Sequence, residues 1–171
     1  SYGISKTAGE AFVLNADVSS TSFRLANVTG PRLAIGPIPT FYKRLKAGED
    51  CSVSTTVRDF LDMSDFLSLV ELALTDDAPT GVFNVSTGEG HTIEEIFRLV
   101  AQHVGKPNAE PVAINPPGPD DVAQVVLDPS ETEAQYRWKA NISFAETISR
   151  MLHWYDINGV TDIYSHLQEK K

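Results

Sequence analysis

The sequence predicts an α/β fold, because segments with strand character alternate with segments of helical periodicity along the chain. Residues 2–14 place their apolar side chains at helical spacing. Residues 21–28 follow with the apolar alternation of a strand, and the β-rich run VFNVS at 82–86 lies between two further predicted helices. This alternation argues against an all-α or an all-β fold. The apolar side of the first helix contains Ile4, Ala8, Ala11 and Phe12.

The segment after the first strand is a loop rich in glycine and proline, TGPRLAIGPIP. Loops of this kind run over the surface and often carry ligand contacts. A helix is predicted over 39–47, with Pro39 near its first turn, where proline is tolerated. Two short strands are predicted next, at 50–54 and 57–62.

Capping residues define the helices of the second half. Ser64 is predicted to cap a helix that runs to about residue 74, with Asp65 favourable in its first turn. Thr92 is predicted to cap a helix over 93–103, which Gly105 ends. The remaining predicted elements are strands near 111–114 and 122–127 and helices near 129–135 and 143–155.

Composition limits the partners. The net charge of -9 without a basic stripe argues against nucleic acid. Apolar runs stay well below the roughly 18 residues that span a bilayer, and there is no signal peptide, so no membrane partner is expected. The lone Cys51 agrees with a reducing cytoplasm, which is the expected location. The histidines are scattered without ligand spacing, so no metal site is expected.

Tyr2 and Lys6 form the most chemically suggestive pair. Four residues apart on a helix, their side chains share a face. A phenol has a pKa near 10, and a neighbouring ammonium stabilises the phenolate and lowers that value. A tyrosine shifted in this way can exchange a proton with a sugar hydroxyl. The spacing also occurs by chance on many helices, and a plain surface pair is the alternative.

Five segments resemble one family in the same order along the chain. SYGISKTAGE resembles the catalytic helix of extended short-chain dehydrogenase/reductases, the group that contains UDP-galactose 4-epimerase and related sugar-nucleotide enzymes. The other four segments are FRLANVTGPR (23–32), VRDFLDMSD (57–65), GVFNVSTGEGHTIEEI (81–96) and RWKANISFAETISRMLHWY (137–155). The likeness is closest to epimerases and dehydratases of bacterial O-antigen and lipopolysaccharide pathways.

The resemblance implies the C-terminal part of a Rossmann-type fold plus the small α/β substrate-binding domain. Residues 1–35 would end the dinucleotide-binding domain, and residues 36–171 would form mainly the substrate-binding domain, with some segments returning to the Rossmann core. It implies NAD as cofactor and a nucleotide sugar as substrate.

The resemblance also implies roles for single residues. Tyr2 would be the acid/base, and Lys6 would bind the nicotinamide ribose and lower the pKa of Tyr2. Ala26 would lie where the backbone approaches the nicotinamide. Asn27 would contact the substrate near its sugar and diphosphate, and the guanidinium of Arg58 would pair with the diphosphate.

Each substrate residue has an alternative role. Asn27 could hydrogen-bond the turn that ends its strand, and Arg58 could form a local ion pair with Asp59. Structural roles are favoured for Arg24 and Arg32. Asp62 and Asp65 resemble paired catalytic carboxylates, but helix capping is the better interpretation of Asp65.

The sequence departs from the family pattern in three places. The glycine-rich dinucleotide fingerprint and the Ser/Thr that precedes the tyrosine are missing, so the chain is expected to be a fragment that is inactive alone, with NAD bound mainly by the missing N-terminal segment. No Lys or Arg occurs between Lys106 and Arg137, so the diphosphate would depend mainly on Arg58. The family's uracil-facing loop is not recognisable in EDCSVSTT.

The predicted function is therefore part of an NAD-dependent 4-epimerase that acts on a UDP-hexose or a derivative through a 4-keto intermediate, for polysaccharide or O-antigen precursors. A nucleotide-sugar 4,6-dehydratase and a non-catalytic substrate-binding fragment are the alternatives. The family often forms homodimers through a four-helix bundle that includes the tyrosine helix. Ala8, Ala11 and Phe12 could form that contact or could belong to the core.

Overall fold

The computed structural model describes residues 2–119 and 121–160, with residue 2 described by its backbone alone. Helices and strands alternate along this part of the chain. The helices are α1 Tyr2–Leu14, α2 Pro37–Ala47, α3 Met63–Ala73, α4 Ile93–His103, α5 Ser130–Tyr136 and α6 Phe144–Asn158. The strands are β1 Thr21–Leu25, β2 Asn27–Thr29, β3 Ser52–Ser54, β4 Val57–Arg58, β5 Phe60–Asp62, β6 Gly81–Val85, β7 His91–Thr92, β8 Ala113–Asn115 and β9 Gln124–Val125.

The strand pairs are mostly parallel, and this confirms the predicted α/β class. β1 pairs with β6, β2 with β5 and β3 with β8, all in parallel. β4 lies between β9, which is parallel to it, and β7, which is antiparallel. Parallel strands need crossover connections, and here the helices and long loops supply them.

Two predicted strands are each divided in two, because their halves pair with different neighbours. The strand predicted over 21–28 breaks at Ala26, whose N–H donates to the carbonyl of Val85, 2.9 Å away. The strand predicted over 57–62 breaks at Asp59, whose carbonyl accepts from the N–H of Asn27 at 3.0 Å. The chain therefore changes its partner strand at both positions.

The helix ends follow local capping, with two corrections. α1 and α4 have the predicted bounds, and Thr92 and Glu95 form a full capping box at the start of α4. The cap of α3 is Asp62 and not Ser64: the Asp62 carboxylate accepts from the N–H of Ser64 at 2.7 Å. α2 begins at Pro37 instead of Pro39, because Pro37 takes the first turn after the chain enters through Gly36.

The larger hydrophobic core lies among α2, α4 and α6, beneath β3. Phe41 of α2 meets Phe97 of α4 edge to face, with ring centroids 5.6 Å apart. The central apolar residues of α6 are buried, and Phe144 packs partly against them. Those buried α6 residues are Ile148, Met151, Leu152 and Tyr155. A smaller core beside it joins α3, β5 and β6 to Trp138.

The apolar side of α1 faces outward. Ile4 and Phe12 are 76% and 81% exposed, and Ala8 and Ala11 are also exposed. The expectation that these residues could belong to the core is therefore wrong for the described chain. Their contact with a second copy stays a prediction. Within residues 2–119 and 121–160, no helix is long and apolar enough to cross a membrane.

Candidate functional site

A cavity of about 1000 Å³ opens between α1 and the strands beside it. One wall is a face of α1 that includes Lys6 and Glu10. Residues 21–27 form the opposite wall, and one side is closed by Val125 of β9 and by Leu127, which follows that strand. A helix, a strand end and a loop thus surround one space that is large enough for a ligand of drug-like size.

Tyr2 and Lys6 lie one turn apart on α1, as the sequence predicts. Lys6 is exposed and lines the cavity. The side chain of Tyr2 lies outside the described residues, so its pairing with Lys6 stays a prediction. The helix itself supplies the spacing that the pair needs, since side chains four residues apart share a face.

Ala26 and Asn27 line the same cavity as Lys6. The backbone N–H of Asn27 donates to the carbonyl of Asp59 at 3.0 Å, and its side-chain Nδ2 donates to that same oxygen at 2.9 Å. The amide therefore bonds across to the neighbouring strand and not to the turn that ends its own strand. Its Oδ1 and its second N–H are the groups left for a ligand.

Arg58 lies beside the cavity and not in its described wall. In β4 it is paired in register with Val125, which lines the cavity. Its guanidinium donates to the carbonyl of Val57 at 2.8 Å and to that of Ala123 at 3.5 Å. No carboxylate of residues 2–119 or 121–160 forms an ion pair with it. The predicted alternative, a local Arg58–Asp59 pair, is therefore wrong.

Asp59 is instead bound to the turn after β6. It is 1% exposed, and its carboxylate accepts from the N–H and the hydroxyl of Thr87 at 3.1 and 2.7 Å and from the N–H of Gly88 at 2.9 Å. A buried carboxylate needs such donors to compensate for lost hydration. The sequence alone suggested no role for Asp59 beyond an ion pair with Arg58.

The Arg24 side chain binds Glu10, for which the sequence suggested no role. Its Nη2 and Nε donate to Glu10 at 2.7 and 3.0 Å, and the Ser22 hydroxyl donates to the same carboxylate at 3.1 Å. The Arg24 hydrogen bond lowers the pKa of Glu10 below its usual range. This bond between α1 and β1 supports the structural role expected of Arg24. No local signal links the two residues, because Glu10 and Arg24 lie on different elements, fourteen positions apart.

Asp62 and Asp65 are both buried but do not act as a pair. Asp62 caps α3, whereas the Asp65 carboxylate accepts from the N–H groups of Asn141 and Ile142 at 3.0 and 2.9 Å. The capping role predicted for Asp65 is therefore wrong, and its function is to hold the loop before α6. No cluster of three metal-ligating side chains occurs within the ranges that the structure covers.

A second tyrosine and lysine stand four residues apart on α2, at Tyr42 and Lys46. The Tyr42 hydroxyl donates to Asp156 at 2.7 Å and accepts from the Lys46 ammonium at 2.9 Å. Nε2 of His103 lies 2.7 Å from the other oxygen of Asp156. These four side chains join α2, α4 and α6 away from the cavity. Burial raises the pKa of Tyr42 despite the nearby ammonium.

Comparison with solved structures finds enzymes that are similar to this chain. The chain is 65% identical to the Bordetella bronchiseptica enzyme WbmG solved with NAD and UDP, with a TM-score of 0.91 over 98% of this chain and 54% of that chain. It is 33% identical to the enzyme WbmH of the same organism, solved with NAD+, with a TM-score of 0.84 over 93% of this chain and 53% of that one.

Curated relatives and a family model agree with these structures. A UDP-glucose 4-epimerase of Bifidobacterium longum subsp. longum is 28% identical over 111 residues, which are 64% of this chain and 32% of that protein. The chain thus spans about half or less of the proteins it matches. The family model described as GDP-mannose 4,6 dehydratase matches residues 1–151. This chain therefore belongs to that family of short-chain dehydrogenase/reductase-type nucleotide-sugar epimerases and dehydratases.

Proposed function

We propose that this chain supplies the catalytic helix and most of the sugar-nucleotide site of an NAD-dependent nucleotide-sugar 4-epimerase. Residues 1–35 would end the dinucleotide-binding domain, and residues 36–171 would form mainly the substrate-binding domain. One observation carries the proposal: Lys6, Ala26 and Asn27 line a single cavity, and the lysine belongs to the helix that carries Tyr2 one turn earlier.

Tyr2 is the proposed acid and base for the sugar. Its phenolate takes the proton from the 4-hydroxyl of the substrate and later returns it. The Lys6 ammonium, which follows Tyr2 by one helical turn and is exposed at the cavity wall, stabilises that phenolate by charge. Proton exchange at one oxygen suits both the removal and the return step of an epimerisation.

NAD is the proposed cofactor, since the two Bordetella enzymes were solved with it. The donor set of the cavity fits its nicotinamide ribose: Lys6 can donate to ribose hydroxyls, and the methyl side chain of Ala26 leaves space beside it. When bound, NAD would accept the hydride from C4 of the sugar and return it. The cofactor would be held mainly by a glycine-rich segment that these residues do not contain, so this chain alone is proposed to be inactive.

Asn27 and Arg58 are the proposed substrate residues. The Asn27 amide is held by one N–H and offers its oxygen and its second N–H to the cavity. Arg58 has no carboxylate partner among the described residues, and its guanidinium, which binds only carbonyl oxygens there, is available to pair with a diphosphate. UDP as the nucleotide is supported by its presence in the WbmG complex.

A 4,6-dehydratase is the second candidate, because the matching family model carries that description. The same oxidation at C4 begins both reactions, and the cavity wall supplied by this chain serves either one. The products differ: an epimerase inverts C4, whereas a dehydratase loses water and leaves a methyl group at C6. The product therefore decides between the two candidates.

The test is a chimera that joins this chain to the part of WbmG outside the match, assayed with NAD and a panel of UDP-hexoses, UDP-hexuronic acids and UDP-acetamidohexoses. Proton NMR of the product is expected to show the 4-epimer and no new methyl signal. The isolated chain is expected to show no turnover. An NAD-binding chimera that converts none of these sugars would refute the proposal, and a methyl signal would favour the dehydratase.

Matched tyrosine variants of the chimera test the mechanism. Tyr2→Phe removes the proposed acid/base, and turnover should fall by at least about a hundredfold while the fold is kept. Tyr42→Phe is the control, because Tyr42 precedes Lys46 at the same spacing but lies away from the cavity. Turnover should survive in that variant. Near-normal activity of Tyr2→Phe would remove Tyr2 from the mechanism.

A further inference from the structure

Asp59 lies at the point where the chain passes from β4 to β5. Arg58 precedes it directly, and the two strands pair with different neighbours. The residue is 1% exposed, so any shift of it must move the chain on both sides. Its backbone carbonyl binds Asn27, and its carboxylate binds the turn after β6.

The backbone carbonyl of Asp59 holds Asn27 twice. It accepts from the Asn27 N–H at 3.0 Å and from the Asn27 Nδ2 at 2.9 Å. Because a carbonyl oxygen accepts only, the atom facing it must be the amide nitrogen, which fixes the orientation of the Asn27 side chain. The groups that Asn27 presents to the cavity therefore depend on where this carbonyl lies.

The carboxylate of Asp59 is in turn fixed by the turn after β6. That turn is itself well held: Gly88 adopts a left-handed φ of 77°, and an added Cβ there would meet Pro129 at 3.3 Å. The hydroxyl of Ser86 donates to the carbonyl of Leu127 at 3.1 Å, and Leu127 lines the cavity. The turn therefore connects Asp59 to Leu127, which is part of the cavity wall.

We infer that Asp59 is a positioning residue that holds the Asn27 amide and the Arg58 backbone in place for the sugar nucleotide. It acts through these two residues and touches no substrate itself. The inference rests on the proposed function, since it requires Asn27 and Arg58 to bind the substrate.

Asp59→Asn in the chimera is the direct test. An asparagine keeps one acceptor oxygen and turns an NH₂ group towards donors of the turn, so at least one of the hydrogen bonds from Thr87 and Gly88 is lost. KM for the nucleotide sugar should rise about tenfold, kcat should change much less, and NAD affinity should be unchanged. On an Asn27→Ala background the same substitution should raise KM clearly less, because its effect passes partly through Asn27.

Asp65→Asn is the matched control. Asp65 is also a buried carboxylate that accepts from two backbone N–H groups, but its partners are Asn141 and Ile142. Its substitution should cost similar stability without changing KM. If Asp59→Asn folds too poorly to assay, Thr87→Val removes the hydroxyl that donates to Asp59 and accepts from the N–H of Glu89, and it should raise KM by a few fold.

The outcomes separate the two hypotheses. If Asn27→Ala and Arg58→Ala raise KM but Asp59→Asn and Thr87→Val behave like Asp65→Asn, the positioning role is overturned and the substrate site stands. If Asn27→Ala and Arg58→Ala both leave KM unchanged, the proposed substrate site itself fails. A KM rise specific to Asp59→Asn and Thr87→Val supports the inference.

Discussion

Asp156 gives a stability prediction whose size follows from its contacts. A hydrogen bond from the Tyr42 hydroxyl is the main cause that lowers its pKa, and His103 and Lys46 add to it against the opposing effect of burial. The pKa falls from an ordinary 3.8 to about 2. That difference corresponds to at most about 2.5 kcal/mol. Because the side chain is 43% exposed, solvent screening reduces the contribution to about 1 kcal/mol.

The sign follows from linkage. The folded pKa is the lower one, so the carboxylate stabilises the fold fully above about pH 4, and the contribution is lost as the pH falls towards about 2. Asp156→Asn should therefore lower the free energy of unfolding by about 1 kcal/mol at pH 6. The difference in the free energy of unfolding between this variant and the unsubstituted chain should become smaller at pH 3 and below.

Urea denaturation followed by tryptophan fluorescence measures this difference. Asp76→Asn is the control, because it removes the same charge from an exposed side chain that forms no hydrogen bond or ion pair within the described residues. After the effect of this control is subtracted, Asp156→Asn should lower the free energy of unfolding more at pH 6 than at pH 3. Equal losses at the two pH values would refute the reasoning.

Two further substitutions test local packing and helix formation by the same denaturation assay. Gly90→Ala would place a Cβ 2.7 Å from Cγ1 of Val57 and 2.9 Å from Cγ2 of Val126, so we expect a loss of about 1–3 kcal/mol; unchanged stability would contradict the close packing. Gly9→Ala lies within α1 with open space around the new Cβ, so we expect a gain of up to about 1 kcal/mol, and a loss would show that the glycine is needed for backbone freedom.

Local signals predicted the helices better than the strands. Thr92 and Glu95 form a capping box with each other, so two residues three positions apart define where α4 begins. The breaks at Ala26 and Asp59 depend instead on Val85 and Asn27, which lie far away in sequence. A strand's own residues do not specify its partner strand. For this reason the sequence pattern predicted β1 and β2 as one strand, and β4 and β5 as another.

The candidate site could be predicted in part. The resemblance identified Lys6, Ala26 and Asn27, which the fold brings to one cavity. For Asp59 the sequence suggested only an ion pair with Arg58, as the alternative to the role implied by the resemblance, since two adjacent opposite charges suggest a local contact. Asp59 is buried, and its carboxylate instead accepts a hydrogen bond from the hydroxyl of Thr87, in the turn after β6. A carboxylate within a predicted strand was the signal, because a charge that becomes buried there must find distant hydrogen-bond donors.

The two Tyr-x-x-x-Lys pairs explain why spacing alone did not identify the site. On α2 the Lys46 ammonium favours the phenolate of Tyr42, but burial and the carboxylate of Asp156 favour the neutral phenol, and the pKa of Tyr42 rises. A lysine one turn away therefore does not by itself produce an acidic tyrosine. On α1 the lysine is exposed at the wall of the cavity that Ala26 and Asn27 also line, whereas Lys46 lies away from that cavity. The environment of the lysine, and not its distance along the chain, makes Tyr2 the better candidate.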